Sequence, residues 1–259
     1  MMLYEKIKKN PDYCVRCYLT YKCNSMCEFC SAQIPQVDPG IKDTFIPADI
    51  WADGINSRSR HTILAGGEPF IYEGFVELIS KIKCNYKVEI YTNLTIDVTD
   101  FIKAARGKSF YILASLHPGT DIKLWLDNVS ALTIAGHKLR FHVVKSHGYE
   151  KLVDILNQNG ITGRFSTAIQ GDQRAGIKSS GLETNLKYPY VKCSHKIYIF
   201  GPDGNRYHCV HKMIMRDNMS IFGHISKPDE EINTVMDCNE FGYCAGCDNN
   251  IEGTVEKII

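Results

Sequence analysis

The chain lacks the features that mark several large protein classes. Its 30 Lys and Arg are offset by 29 Asp and Glu, giving a formal net charge of +1 over 259 residues. No global basic field therefore argues for nucleic acid, although a local patch stays open. No apolar run approaches the roughly 20 residues of a membrane span. The start, MMLYEKIKKN, is polar and charged and has no signal-peptide core. There is no internal repeat and no low-complexity tract. A disulfide framework is also missing: the eleven Cys are odd in number and clustered. These absences read as a cytoplasmic protein with no membrane partner, whose reduced thiols serve as metal ligands. With 44% hydrophobic residues the length suffices for one large domain, or one domain plus a small appendage.

What is present begins with CNSMCEFC, in which Cys23, Cys27 and Cys30 stand as C-x3-C-x2-C directly after the apolar run Val15–Tyr21. That run predicts a β-strand, so the triplet falls on a loop at a strand's C-terminal end. Four thiolates saturate a four-iron cluster, whereas three leave one iron open. An open position is what separates a catalytic metal site from a closed structural one. A zinc site is the competing reading, but zinc knuckles favour paired C-x2-C units and no fourth ligand stands nearby. Residues 62–70 read TILAGGEPF, a strand-like run ending in Gly66, Gly67, Glu68 and Pro69. Paired glycines let the backbone approach a ligand closely and allow positive φ.

The triplet, with an aromatic (Phe29) before its last Cys, and the Gly-Gly-Glu-Pro turn after it resemble the radical S-adenosylmethionine (SAM) enzymes. The resemblance implies that Cys23, Cys27 and Cys30 ligate a [4Fe-4S] cluster. SAM would chelate the open iron and be cleaved to methionine and a 5'-deoxyadenosyl radical that abstracts hydrogen from substrate. Phe29 would lie near the adenine, and the Gly66–Pro69 turn would bind the SAM amino group, with Glu68 accepting from that ammonium.

Strand-like and helix-like segments alternate after residue 13, which argues α/β. The patterns predict strands at Val15–Tyr21, Thr62–Ala65, Val88–Thr92, Phe110–Ser115, Leu139–Lys145 and Arg164–Ile169. They predict helices at Pro47–Ile55, Phe70–Lys81, Thr99–Ala105, Thr120–Ala135 and Tyr149–Gln158. Six β/α units make a partial (β/α)6 TIM-like barrel, whose sites lie at strand C-termini. The triplet, the Gly-Gly-Glu-Pro turn, Asn93, Ser115, His117 and Lys145 all fall there.

The tail carries a second cysteine set. Cys193, Gly204 and Cys209 stand as C-x10-G-x4-C around two short strands and a Pro-Asp-Gly turn, and Cys238, Cys244 and Cys247 follow. This resembles the auxiliary-cluster modules called SPASM or, when shorter, twitch. Five Cys rather than seven imply a twitch with one auxiliary [4Fe-4S] cluster. Its ligands would be Cys193, Cys209, Cys244 and Cys247, with Cys238 as the alternative fourth. A small zinc ribbon is the competing reading. The expected domains are a radical SAM core at 1–170, a Gly- and Ser-rich linker or loop at 171–188 and a Cys-rich twitch domain with a β-hairpin at 189–259.

Weaker site candidates are Asn93 and Ser115 for SAM contact, and His117, Lys145, Arg164 and Tyr91 for substrate contact or proton transfer. Cys14 and Cys17, three apart on a strand, read as strand residues on opposite faces. The leading function is radical oxidation of a small molecule, with the auxiliary cluster accepting an electron and an external flavodoxin or ferredoxin supplying one. Short relatives of this kind include a dehydrogenase acting on an amino-cyclitol alcohol. Only fourteen residues precede the first expected strand, so no N-terminal peptide-recognition domain is expected. A peptide maturase remains the alternative, and a zinc-binding interaction module the non-enzymatic one.

Overall fold

A computed structural model describes residues 4–7, 14–25, 27, 45–117, 119–144, 149–161, 164–166, 190–195, 197–228, 233–238 and 253–258. In 4–7, 164–166, 190–195, 233–238 and 253–258, and at 144 and 149, only the backbone is described. The chain builds β2 (Cys14–Tyr18), α1 (Ala48–Arg58), β3 (Thr62–Ala65), α2 (Phe75–Lys81), β4 (Val88–Thr92), α3 (Thr99–Ala104) and β5 (Tyr111–Leu116). It continues with α4 (Ile122–Ile134), β6 (Lys138–Val144), α5 (Tyr149–Gln158) and β7 (Arg164–Ser166). Strands β2 to β7 pair in sequence order, all parallel.

Crossovers of one hand put all the helices on one side of such a sheet, and the core shows which side. Val15, Cys17, Ile90, Ile112, Ala114 and Val143 pack with Trp51, Leu78, Phe101, Trp125 and Leu132 from the helices. Phe70, Phe75, Phe101 and Phe110 form a chain of tilted and stacked rings through that layer. The alternate residues, Arg16, Glu89, Tyr91, Tyr111, Ser115, Arg140 and His142, therefore stand on the opposite, concave face. The result is the expected partial TIM-like barrel.

Several element ends shift by one to three residues, the first helix running on to Arg58, and three differences bear on the architecture. Helix does not begin at Phe70: Pro69–Ile71 is a single 3-10 turn capped by the Glu68 side chain, and α2 starts at Phe75. The cause is local, since Pro69 occupies the first position and Gly74 sits against the Tyr72 ring. A strand precedes the expected first one: β1 (Tyr4–Ile7) pairs with β12 (Asn233–Cys238) in a four-stranded sheet of order β1-β12-β8-β13. There β8 is Tyr190–His195 and β13 is Gly253–Ile258. Strand β2 ends at Tyr18, three residues before the apolar run does.

The tail hairpin is present as β9 (Ile197–Phe200) and β10 (Asn205–Tyr207), followed by α6 (Val210–Ile214) and β11 (Ile221–His224). Strand β9 pairs parallel to β2, so these strands extend the barrel sheet to nine, in the order β11-β10-β9-β2-β3-β4-β5-β6-β7. Arg58 on α1 fastens the same segment by donating to the Ile225 and Lys227 carbonyls at 2.9 and 2.8 Å while lying over the Phe200 ring. Cys17 joins the helix-side core, whereas Cys14 packs against a second cluster formed by Tyr21, Ile197, Ile199, Val210 and Met213. The two cysteines thus face opposite ways, as their spacing predicts. Among the described residues no helix is long and apolar enough to cross a membrane.

Candidate functional site: the strand ends of β2 to β5

Beyond β2 the chain stays paired with β3 through the glycine turn. Leu19 N donates to Ala65 O, Gly67 N to Thr20 O at 2.8 Å, and Glu68 N to Lys22 O at 2.9 Å. Both glycines are required by that approach. A Cβ on Gly66 would lie 2.5 Å from Thr20 O, and one on Gly67 would lie 2.6 Å from Tyr21 O. Backbone cannot yield cheaply to such contacts. The sequence predicts close approach to a ligand; what lies against both glycines is the backbone that leads directly into Cys23.

Glu68 is 1% exposed and braces β3 to β4. Its carboxylate accepts from Thr92 Oγ1 at 2.8 Å, Asn93 N at 2.8 Å and Phe70 N at 3.2 Å. Burial raises its pKa to about 7, against the lowering pull of those hydrogen bonds from Asn93, Thr92 and Phe70. Asn93 extends the brace to the cysteine loop. Its Nδ2 donates to Asn24 Oδ1 at 2.8 Å and Ser25 Oγ at 3.1 Å and points at Cys23 Sγ at 3.9 Å. Its Oδ1 accepts from Thr95 N and Oγ1, and Thr95 Oγ1 accepts from Asn24 Nδ2.

Cys23 and Cys27 are both partly exposed in this frame. Ser25 N donates to Cys23 Sγ at 3.4 Å, and His117 Nδ1 lies 3.1 Å from Cys27 Sγ. Burial, then the neighbouring His142, lowers His117 to about 4, which leaves the ring neutral near pH 7. Donors aimed at thiolate sulfur are the environment that tunes iron–sulfur sites. This donor set therefore fits the cluster that the sequence implies.

Ser115 and Tyr91 stand on the concave face, with Ser115 at the register position beside His142 and His142 beside Arg164. Pro69 is buried at the start of its 3-10 turn. Phe29, Cys30, Lys145, Cys244, Cys247 and the 171–188 segment lie outside the described residues. Among the described residues no group of three His, Cys, Asp or Glu stands ready for a metal ion. Thr92, paired with Asn93 at the end of its strand, belongs to the site frame. Asn24 and Thr95 belong to it as well, and no sequence pattern marks them.

In the tail, Cys209 caps α6 by accepting from Lys212 N at 3.4 Å. Tyr21, two residues before Cys23, packs in the same cluster as Val210 and Met213 and donates to Met213 O at 3.1 Å. The Cys209 segment therefore lies against the strand that delivers Cys23. Strand register pairs Cys193 with Met236 and Cys238 with Val191. Cys193 and Cys238 thus hold diagonal positions on one face of the four-stranded sheet.

No protein-family description matches the sequence, and no curated protein does. Solved structures do match in fold. SuiB of Streptococcus suis bound to S-adenosylmethionine superposes with a TM-score of 0.59 at 16% identity, over 85% of this chain and 64% of that one. The chain thus spans less than two thirds of SuiB. The protein anSMEcpe with bound AdoMet gives 0.56 at 13% identity, over 85% of this chain and 77% of that one. BtrN in complex with AdoMet and 2-DOIA gives 0.50 at 12% identity, over 86% and 81%. All three are solved with S-adenosylmethionine (AdoMet) bound. The chain therefore shares its fold with these three AdoMet-bound proteins, the fold that the sequence resemblance implies.

Proposed function

We propose that this chain is a radical SAM enzyme in which Cys23, Cys27 and Cys30 hold a [4Fe-4S] cluster that binds SAM. One observation carries the reading: the segment that leads into Cys23 is hydrogen-bonded to Gly67 and Glu68 of the glycine turn, at the strand ends of a fold whose neighbours bind SAM. Bound there, cluster and SAM would supply hydrogen-atom abstraction from a substrate on the concave face. The chain's own part is positional. Gly66 and Gly67 let the loop close, Glu68 locks β3 to β4, and Asn93, Ser25 and His117 direct polar atoms at the two described thiolates. Phe29, Pro69 and Ser115 complete the proposed SAM contacts.

A second [4Fe-4S] cluster on Cys193, Cys209, Cys244 and Cys247 completes the reading. The shared sheet face of Cys193 and Cys238 supports Cys238 as the alternative fourth ligand. A fully ligated cluster there would hold the acceptor for an electron leaving the substrate, which favours oxidation of a small molecule, with a flavodoxin or ferredoxin as external donor. The packing of the Cys209 segment against the strand before Cys23 supports such a coupling. Peptide maturation is the second reading, because SuiB and anSMEcpe are also solved with peptides bound.

The test is iron and sulfide content, with electron paramagnetic resonance of the anaerobically reconstituted, reduced protein with and without SAM. About eight irons and one of two signals shifting with SAM are expected. Zinc without iron would leave a metal-stabilised interaction module instead.

A further inference from the structure

The concave face carries charge of one dominant sign at the end opposite the cysteine loop. One rung of register runs across five strands: Arg16, Ile63, Glu89, Tyr111 and Lys138. Arg140 stands two residues above Lys138 on the same face of β6, and Lys87 enters from the base of β4. Glu89 is the acid of the group, 3% exposed, and it is shared by His61 Nε2 at 3.1 Å, by Arg140 Nη2 at 2.6 Å and by Lys87. Lys87 and Lys138 both lie over the Tyr111 ring, at 4.9 and 4.8 Å, and Lys138 also donates to its hydroxyl at 3.0 Å.

Among the described residues, Lys87, Lys138 and Arg140 thus gather around Glu89 and the Tyr111 ring, three positive charges to one carboxylate. The whole chain carries only +1, so the excess is local. Nor is it sealed in: the Arg140 and Lys87 side chains are 55% and 39% exposed. Glu89 and the Tyr111 ring instead fix the cationic heads in place, which lowers the ordering cost of meeting an anion. The guanidinium of Arg140 keeps donors beyond the one used on Glu89, in a fork suited to two oxygens.

We infer that this lower end of the concave face binds an anionic group of the substrate, a carboxylate or a phosphate. The inference rests on the reading that chemistry occurs at the strand C-terminal ends. From Glu89 to Thr92, the last residue of β4, the strand rises about 10 Å. The substrate is then an elongated molecule whose anionic group lies at least about 10 Å from the reacting carbon. A compact cationic amino-cyclitol does not fit that charge pattern, so the site narrows the substrate class.

The test is titration calorimetry of the full chain at low salt with inorganic pyrophosphate, citrate and, as the cationic counter-probe, streptamine. Wild type binds at least one anion, more weakly as salt rises, and does not bind streptamine. Pyrophosphate alone would identify a phosphate group, and citrate alone a carboxylate. Lys138→Gln weakens binding severalfold and leaves the Glu89 contacts in place. Lys138→Gln with Arg140→Gln weakens it at least about tenfold, while Lys123→Gln on the outer helix α4 changes nothing. Absence of anion binding, binding indifferent to both variants, or preference for streptamine would overturn the inference. Iron content and SAM cleavage are assayed separately. A protein that cleaves SAM yet ignores anions sinks the anion site alone, and one that binds anions without iron sinks the radical reading alone.

Discussion

The two ends of the concave face are built from opposite materials. At the strand C-termini, short polar side chains, one buried carboxyl group and two glycines lock three loops together: Thr92, Asn93 and Thr95 at and after the end of β4, Asn24 and Ser25 from the cysteine loop, and Gly66, Gly67 and Glu68 between them. At the N-termini, long charged side chains surround one buried carboxylate. The first arrangement has little freedom, because backbone meets backbone. The second keeps half-exposed heads that can rearrange around an incoming charge. A rigid upper cradle suits a cofactor that must sit in one place, and an adaptable cationic mouth suits capture and orientation of a substrate.

The largest effect should come from breaking the upper end at its tightest contact. Gly67→Ala places a methyl against the Tyr21 and Lys22 carbonyls, and neither can move without pulling the cysteine loop from the turn. A loss of roughly 3 kcal/mol or more in urea unfolding is expected, with iron uptake reduced in parallel. A variant that unfolds like wild type and takes up full iron would mean the close approach is dispensable.

Next is Glu68→Gln. The carboxylate accepts three hydrogen bonds, whereas an amide can satisfy donors at one oxygen only and turns an N–H toward a donor at the other position. About 1–3 kcal/mol should be lost at neutral pH. The pH dependence has a definite sign. The folded pKa of about 7 lies above the usual carboxylate value. The Glu68 contribution is therefore fully present below about pH 4.3 and is lost as pH rises to about 7, beyond which it is flat. Glu68→Gln removes that slope, so the stability gap between the two proteins should shrink from pH 5 to pH 7.

The contrast between the ends also explains what the sequence discloses. The upper end is written in contiguous motifs, because a loop that must approach another backbone needs glycines side by side and ligands a few residues apart. The strands Thr62–Ala65 and Val88–Thr92 were legible to the residue, since each is a short β-branched and apolar run closed by turn residues. The lower end is scattered over positions 16, 61, 87, 89, 111, 138 and 140, and only parallel register brings these together. Strand β1 was missed for a related reason: four residues, YEKI, carry no periodicity, and pairing with Asn233–Cys238 makes them a strand.

Glu89→Gln probes the lower end. Burial pushes Glu89 up, but the hydrogen bonds from His61 and Lys87 and the charges of Arg140 and Lys87 overcome it and bring the pKa to about 2. A depressed pKa gives stability that is present above about pH 4.3 and lost as pH falls toward 2. The variant should lose about 1–2 kcal/mol at pH 7, discounted because its partners are half exposed, and should lack that acid limb. Equal slopes for wild type and variant between pH 5 and pH 2.5 would show that the cations do not hold the carboxylate.

The smallest effect on stability is expected from Lys138→Gln, and the comparison turns on it. The ammonium group is exposed, and its contacts are the Tyr111 ring and hydroxyl, themselves at the surface. Removing such a contact should move the thermal midpoint by no more than about 2 °C. Pyrophosphate or citrate affinity should nonetheless fall severalfold, because one of the three positive charges is gone. If the upper end is a frame and the lower end a receptor, substitutions above should move stability and cofactor content together, whereas Lys138→Gln should move ligand affinity alone. A Lys138→Gln protein that lost stability as Gly67→Ala does would erase that distinction and make the lower cluster part of the frame.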